Sequence, residues 1–131
     1  MTVASSSPIK VALIDDEGGI RLAFTRLLEK KGIEVASYES GVNFLERYNG
    51  ELNCILLDHN LPHMNGLAVL SELRNRGDTT PVVMISGQAD DAMREAACRL
   101  GATGVIRKPT GADEVAAAIH SAVAGYKPRD R

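Results

Sequence analysis

The chain reads as an α/β domain: a five-stranded parallel sheet with helices on both faces, a (βα)5 three-layer sandwich. Three observations predict it. Five short apolar runs rich in β-branched residues recur along the 131 residues. Each run is followed by a stretch whose apolar residues return at helical spacing. Strand and helix signals alternate regularly five times, which argues for a parallel sheet with helices on both faces. The crossovers joining such strands are right-handed.

The first strand spans Ile9 to Ile14, and the helix after it places Ile20, Phe24, Leu27 and Leu28 on one face, with Arg21, Arg26, Glu29 and Lys30 elsewhere and Gly32 as its stop. The second strand, Ile33 to Ser37, leads to a short helix from about Val42 to Tyr48. The third, Cys54 to Leu57, is followed by a helix over Leu67 to Arg74 that turns Leu67, Leu70 and Leu73 to one side, then meets Gly77 and Asp78. Pro81 to Ile85 forms the fourth strand, with a helix from Asp90 to Leu100 ended by Gly101. Gly104 to Arg107 forms the fifth, with a helix from Asp113 to Ala124 ended by Gly125. One domain therefore fills residues 9–124, between a flexible N-terminal tail over 1–8 and a polar C-terminal tail or linker start over 125–131. No internal repeat or low-complexity segment interrupts it.

Composition narrows the function classes. A hydrophobic fraction of 44% suits one compact core. A net charge of −2 supplies no global positive field that would steer the protein to nucleic acid or an acidic membrane. Cys54 and Cys98 have neither metal-ligand spacing nor a paired framework, so both are expected to be buried free thiols in a reducing compartment. The N-terminus MTVASSSP has no basic or apolar leader pattern, and no apolar run approaches membrane-spanning length. The expectation is a cytoplasmic protein.

In an open α/β sheet, ligands bind beyond the carboxyl ends of the strands. The first strand delivers Asp15, Asp16 and Glu17 there, the third Asp58, the fourth Ser86, and the fifth Lys108 followed by Pro109. The second delivers nothing chemical, as befits an edge strand. Each piece alone has an ordinary structural reading: a solvated turn, a helix cap, or residues that start a loop. Their convergence on one rim is the signal. Three carboxylates repel one another unless a cation sits among them, and they make an oxygen-rich site for Mg²⁺ or Mn²⁺. With the metal bound, Asp58 is placed to act as nucleophile on a phosphoryl group. Lys108 offers a compact positive charge for the transferring oxygens and Ser86 a hydroxyl donor.

In this set of residues the chain resembles a response-regulator receiver domain, the phosphoacceptor module of two-component signalling. The resemblance covers roughly 9–124. It implies a flavodoxin-like sheet in the order 2-1-3-4-5, phosphorylation at Asp58, and direct metal ligation by Asp16, Asp58 and the backbone carbonyl of Asn60, with Asp15 acting through water. It implies that Ser86 is the switch hydroxyl, that Lys108 stabilises the phosphoryl group, and that a cis peptide often joins the pair Lys108 and Pro109. Pro62 and Gly66, in the stretch LPHMNG, match the loop that shapes the backbone after the phosphoacceptor. Partners implied are a sensor histidine kinase or histidine phosphotransfer protein and a downstream effector or tethered output domain. A phosphorylation-dependent dimer through the fourth and fifth helices belongs to the same set of implied outputs, whereas direct nucleic-acid or membrane contact by this domain does not. The only catalysis implied is the domain's own phosphorylation and slow dephosphorylation.

The chain departs from the family at Val105, three residues before the lysine, where an aromatic residue usually stands. Switching is therefore expected to rest on Ser86, Gly87 and the segment as far as Ala92. Asn60 and Gln88 stand two positions beyond Asp58 and Ser86, where the resemblance implies that side chains influence attack by water on the acyl phosphate; both are amides that hold water without acting as strong bases, so slow to moderate autodephosphorylation is expected. His59 and His63 have the i, i+4 spacing of zinc ligands, but Pro62 between them argues for loop residues. A haloacid-dehalogenase-like phosphatase would need an acid at position 60, which is Asn60. A flavin carrier would need a phosphate-binding loop where Asp15 and Asp16 stand. The remaining alternative is a pseudo-receiver, an interaction module without phosphorylation, which usually lacks an acid or the lysine; this chain lacks neither.

Overall fold

The computed structural model describes residues 8–126. The expected tails fall outside the described residues except for Pro8, Gly125 and Tyr126. The elements run β1 (Lys10–Ile14), α1 (Gly18–Lys30), β2 (Glu34–Tyr38), α2 (Gly41–Arg47), β3 (Cys54–Asp58), α3 (Gly66–Asn75), β4 (Val82–Ser86), α4 (Asp91–Arg99), β5 (Gly104–Arg107) and α5 (Ala112–Gly125). All pairings are parallel and the sheet order is β2-β1-β3-β4-β5. The sheet is the expected one, with β2 on the edge.

Alternate residues of each central strand enter two separate cores. Ala12, Ile14, Ile55, Leu57, Val82 and Met84 pack under α2, α3 and α4 with Phe44, Val69, Leu70, Leu73, Met93 and Ala97. Val11, Leu13, Leu56, Val83 and Ile85 face α1 and α5, meeting Leu28, Val115, Ile119 and Ala122. This two-sided burial is why β3 and β4 are buried at every residue, whereas β2 is mostly exposed. Three helices begin on side-chain caps that satisfy free amides of the first turn: Ser40 accepts from Asn43 N, Asn65 from Ala68 N, and Asp90 from Met93 N.

Several details differ from the sequence reading, among them that β1 begins at Lys10 rather than Ile9. Leu27 is 45% exposed while Leu28 is fully buried. Successive helical residues diverge by about 100°, and the sheet takes the Leu28 side of α1. Cys98 is exposed for the same reason, standing one residue beyond the buried stripe of Met93 and Ala97, so only Cys54 is a buried thiol. Burial pushes the Cys54 pKa up to about 12, which leaves it an inert apolar side chain. The second strand begins one residue late because Ile33 still closes α1, donating its amide to Leu28 O after Gly32 takes a φ of 84°.

Candidate functional site

β3 and β4 each run one residue further than their apolar stretches, so Asp58 and Ser86 are the last residues of their strands. Asp58 lies beside Ile85 in the parallel register, and Ser86 lies beside Arg107. Lys108 then leaves β5 at the same height, its amide donating to Ser86 O at 2.9 Å. β1 ends at Ile14, in register with Leu57, which brings Asp15 alongside Asp58. Strand register, rather than loop folding, thus assembles groups that lie far apart in sequence.

Carboxylate oxygens of Asp15, Asp16 and Asp58 lie within 4.8 Å of one another. Asp15 and Asp58 are buried, at 4% and 3% exposure, and Asp16 is open to solvent. Glu17 does not join them. It stands at the N-cap of α1, and its amide donates to Asp15 Oδ1 at 2.9 Å. Burial holds the Asp15 pKa above the ordinary carboxylate value, and the charges of Asp58 and Glu17 push the same way against the Glu17 amide and Lys108.

Lys108 Nζ donates to Asp58 Oδ2 at 3.1 Å and stands 3.9 Å from Asp15 Oδ2. Its pKa is raised: burial works against the charge, but the hydrogen bond to Asp58 and the surrounding carboxylates prevail. The other Asp58 oxygen, Oδ1, accepts from the Asn60 amide at 3.1 Å. Asp58 is therefore gripped on both oxygens. Ser86 is fully buried and its Oγ accepts from Gln88 N at 3.0 Å, tying the hydroxyl to the loop that follows β4.

The backbone around the site is tightly specified. The Lys108–Pro109 peptide is cis. In the loop after Asp58, His63 has a φ of 68°, and the amides of Leu61 and Gly66 both donate to His59 O. Gly66 opens α3 against this loop, where an added Cβ would stand 2.7 Å from Asp58 O, His59 Cα and Met84 Cε. Gly87, Asn60 and Gln88 are exposed on the rim. Val105 packs half-buried against the α2–α4 core, and its carbonyl accepts from Arg94 Nη1 at 3.3 Å. His59 and His63 lie in the loop as expected, although His59 Nδ1 is buried without a hydrogen-bond partner.

One residue that sequence reasoning passed over also belongs here. Arg21, one turn into α1, donates from Nη1 to Asp15 O at 2.7 Å and fastens the acidic loop to the helix. Its only sequence signal is a cation shortly after the acids.

The sequence profile of the response regulator receiver domain matches residues 11–120. The response regulator protein TodT of Pseudomonas putida is 31% identical over 114 residues, covering 86% of this chain and 50% of that protein. The transcriptional regulatory protein FixJ of Azorhizobium caulinodans is 30% identical over 116 residues, covering 88% and 55%. The chain thus spans about half the length of these relatives. Among solved structures, the CheY-like response regulator receiver domain protein of Methanospirillum hungatei JF-1 superposes with a TM-score of 0.84 at 24% identity, over 90% of this chain and 95% of that one.

Proposed function

Because the chain belongs to the receiver-domain family of two-component response regulators, we propose that it is a phosphoacceptor whose Asp58 takes a phosphoryl group from a partner's phosphohistidine, with Mg²⁺ or Mn²⁺ as cofactor. The observation that carries this reading is the cluster itself: three carboxylates within 4.8 Å, two of them buried, with one lysine reaching Asp58 Oδ2 at 3.1 Å. The donor set fits a hard divalent cation, being all oxygen and carrying more negative charge than Lys108 balances. Asp16, Asp58 and the Asn60 carbonyl would hold the ion directly and Asp15 through water. Bound there, the ion would supply charge neutralisation for an incoming phosphoryl group.

The chain's own residues do the rest. The Asn60 amide and Lys108 hold the Asp58 carboxylate in one orientation for attack. Lys108 then shifts its ammonium to the transferred oxygens. Ser86 turns its hydroxyl toward the phosphoryl group, and the Gln88 amide that now bonds Ser86 Oγ loses that partner. This moves Gly87 and the start of α4, changing the surface read by an effector, a second copy or a tethered output domain. With Val105 in place of an aromatic residue, the Ser86 loop carries the switch alone. Asn60 and Gln88 position water without strong basicity, so the acyl phosphate decays over minutes. Pro62, Gly66 and Pro109 set the backbone of the two loops. The domain, residues 9–124, turns over nothing but itself.

Intact mass after incubation with acetyl phosphate tests the proposal. A gain of one phosphoryl group that requires Mg²⁺ and vanishes in Asp58→Asn is expected. Absence of any gain under either condition would favour the pseudo-receiver alternative.

A further inference from the structure

The chain carries two Asn–Gly pairs, Asn49–Gly50 and Asn65–Gly66, in opposite settings. In such a pair the glycine amide nitrogen, with no Cβ beside it, can reach the Cγ of the preceding carboxamide. Asn65 is held away from that path. Its Oδ1 caps α3 by accepting from Ala68 N at 2.9 Å, and the Gly66 amide is committed to His59 O at 2.9 Å. Space is also missing there, since one carbon added at Gly66 would stand 2.7 Å from Asp58 O, His59 Cα and Met84 Cε. Asn49 lies in the loop between α2 and β3, at the amino end of the sheet, and both it and Gly50 are exposed. The loop is anchored on either side, where Tyr48 N donates to Phe44 O and Asn53 N to Lys10 O, both at 2.9 Å. Between those anchors the Gly50 amide has no acceptor among the described residues, and a carbon added at Gly50 would meet nothing within 4 Å. Asn49 Oδ1 accepts from Glu51 N at 3.2 Å, a turn that folds the carboxamide back over the Gly50 peptide and polarises its carbonyl carbon.

We propose that Asn49 is a modification site at which the folded chain converts its own carboxamide to a carboxylate, while Asn65 is protected. The Gly50 nitrogen bonds to Asn49 Cγ, and the bond from Cγ to the carboxamide nitrogen breaks. That nitrogen leaves as ammonia, taking up the proton that Gly50 N gives away, and a succinimide ring remains. Water then opens the ring at one of its two carbonyls. Opening at Cγ leaves aspartate on an unchanged main chain, and opening at the other leaves isoaspartate, whose main chain runs through the side-chain carbon. No oxidant, reductant or second protein takes part. Either product sets a new carboxylate beside the exposed Glu51, and isoaspartate also lengthens the main chain between α2 and β3. The site stands at the opposite end of the sheet from Asp58, so the inference is independent of the phosphoacceptor reading.

Timed incubation of the intact chain in mildly alkaline buffer, with and without urea, tests this. Cleavage after Arg47 and Arg74 releases one peptide, Tyr48 to Arg74, that carries both pairs, so fragment masses report Asn49 and Asn65 from one spectrum. In the folded chain Asn49 is expected to become the acid at least about tenfold faster than Asn65, whose conversion waits for local opening at the start of α3. In urea the two rates converge, because the acceleration falls on Asn65. Gly50→Ala, which puts a side chain on the attacking residue, slows conversion at Asn49, and continued protection of Asn65 reports that the variant is folded. Conversion of Asn49 no faster than that of Asn65 in the folded chain would overturn the inference, as would a folded Gly50→Ala chain that converts at the native rate.

Discussion

The two ends of the sheet use the same side chains to opposite effect. At the carboxyl end, burial and neighbouring negative charge lift the Asp15 pKa. At the amino end, Asp78 is also partly buried, and burial again opposes its charge, yet its pKa is lowered. Hydrogen bonds from Thr80 and Tyr48 and the Arg74 charge outweigh the desolvation. Arg74 donates to Leu100 O, Asp78 O, Thr80 O and Gly101 O at 2.8 to 3.2 Å, tying the loop before β4 to the loop before β5. Tyr48 OH pairs with Thr80 Oγ1 at 2.9 Å, and burial pushes its pKa up to about 12. Tyr126 OH meets Thr79 Oγ1 at 2.8 Å where the chain leaves α5. The amino end closes its polar groups on one another and serves stability. The carboxyl end leaves negative charge unbalanced, which is what the proposed phosphoacceptor chemistry requires.

The sharpest test of that contrast is Asp58→Asn, which abolishes phosphoryl uptake in the mass assay while leaving the domain folded by circular dichroism. Retention of uptake would break the assignment of the carboxyl end. Next in size is Arg74→Ala at the other end. It leaves several carbonyls without their donor and costs about 3 kcal/mol in urea unfolding, with no effect on the Mg²⁺ requirement for phosphorylation. A loss below about 0.5 kcal/mol would show that the amino-end cluster is ornamental. Gly66→Ala pits the two ends against each other. Two of the contacts facing its new Cβ are backbone atoms that have little room to yield, so destabilisation of about 2 kcal/mol is expected together with slower phosphorylation from the displaced Asp58 loop.

The smallest effect carries the opposite sign. Asp15→Asn removes a buried charge from an unbalanced cluster and should raise metal-free stability by on the order of 1 kcal/mol, the scale of a screened like-charge contact, while weakening Mg²⁺ binding in calorimetry. The pH dependence separates the ends further. A raised folded pKa at Asp15 means that its contribution is fully present below the unfolded carboxylate pKa and is lost as pH rises through the folded value. A lowered one at Asp78 means that its contribution is present above the unfolded pKa and is lost as pH falls through the folded value. In metal-free urea titrations the Asp15→Asn advantage therefore grows with rising pH, and the Asp78→Asn deficit shrinks with falling pH in the acid range. Parallel pH profiles for the two variants would erase the contrast.

Much of this is legible in the sequence. Apolar runs such as those ending at Asp58 and Ser86 mark strands because a covered parallel sheet demands them, and strand ends converge because register in a parallel sheet is uniform. That alone named Asp15, Asp16, Asp58, Ser86 and Lys108 and predicted the edge position of β2. Tertiary structure decided what depends on rotation and distant partners. Leu28 rather than Leu27 is buried, and Cys98 is exposed, because the face a helix presents is chosen by the sheet beneath it. Glu17 leaves the acidic cluster to begin α1, while Arg21 turns back to hold Asp15. The Arg74 clamp joins carbonyls 26 and 27 residues away that no local pattern connects. Periodicity along a chain reports which residues share a face; only packing determines what that face meets.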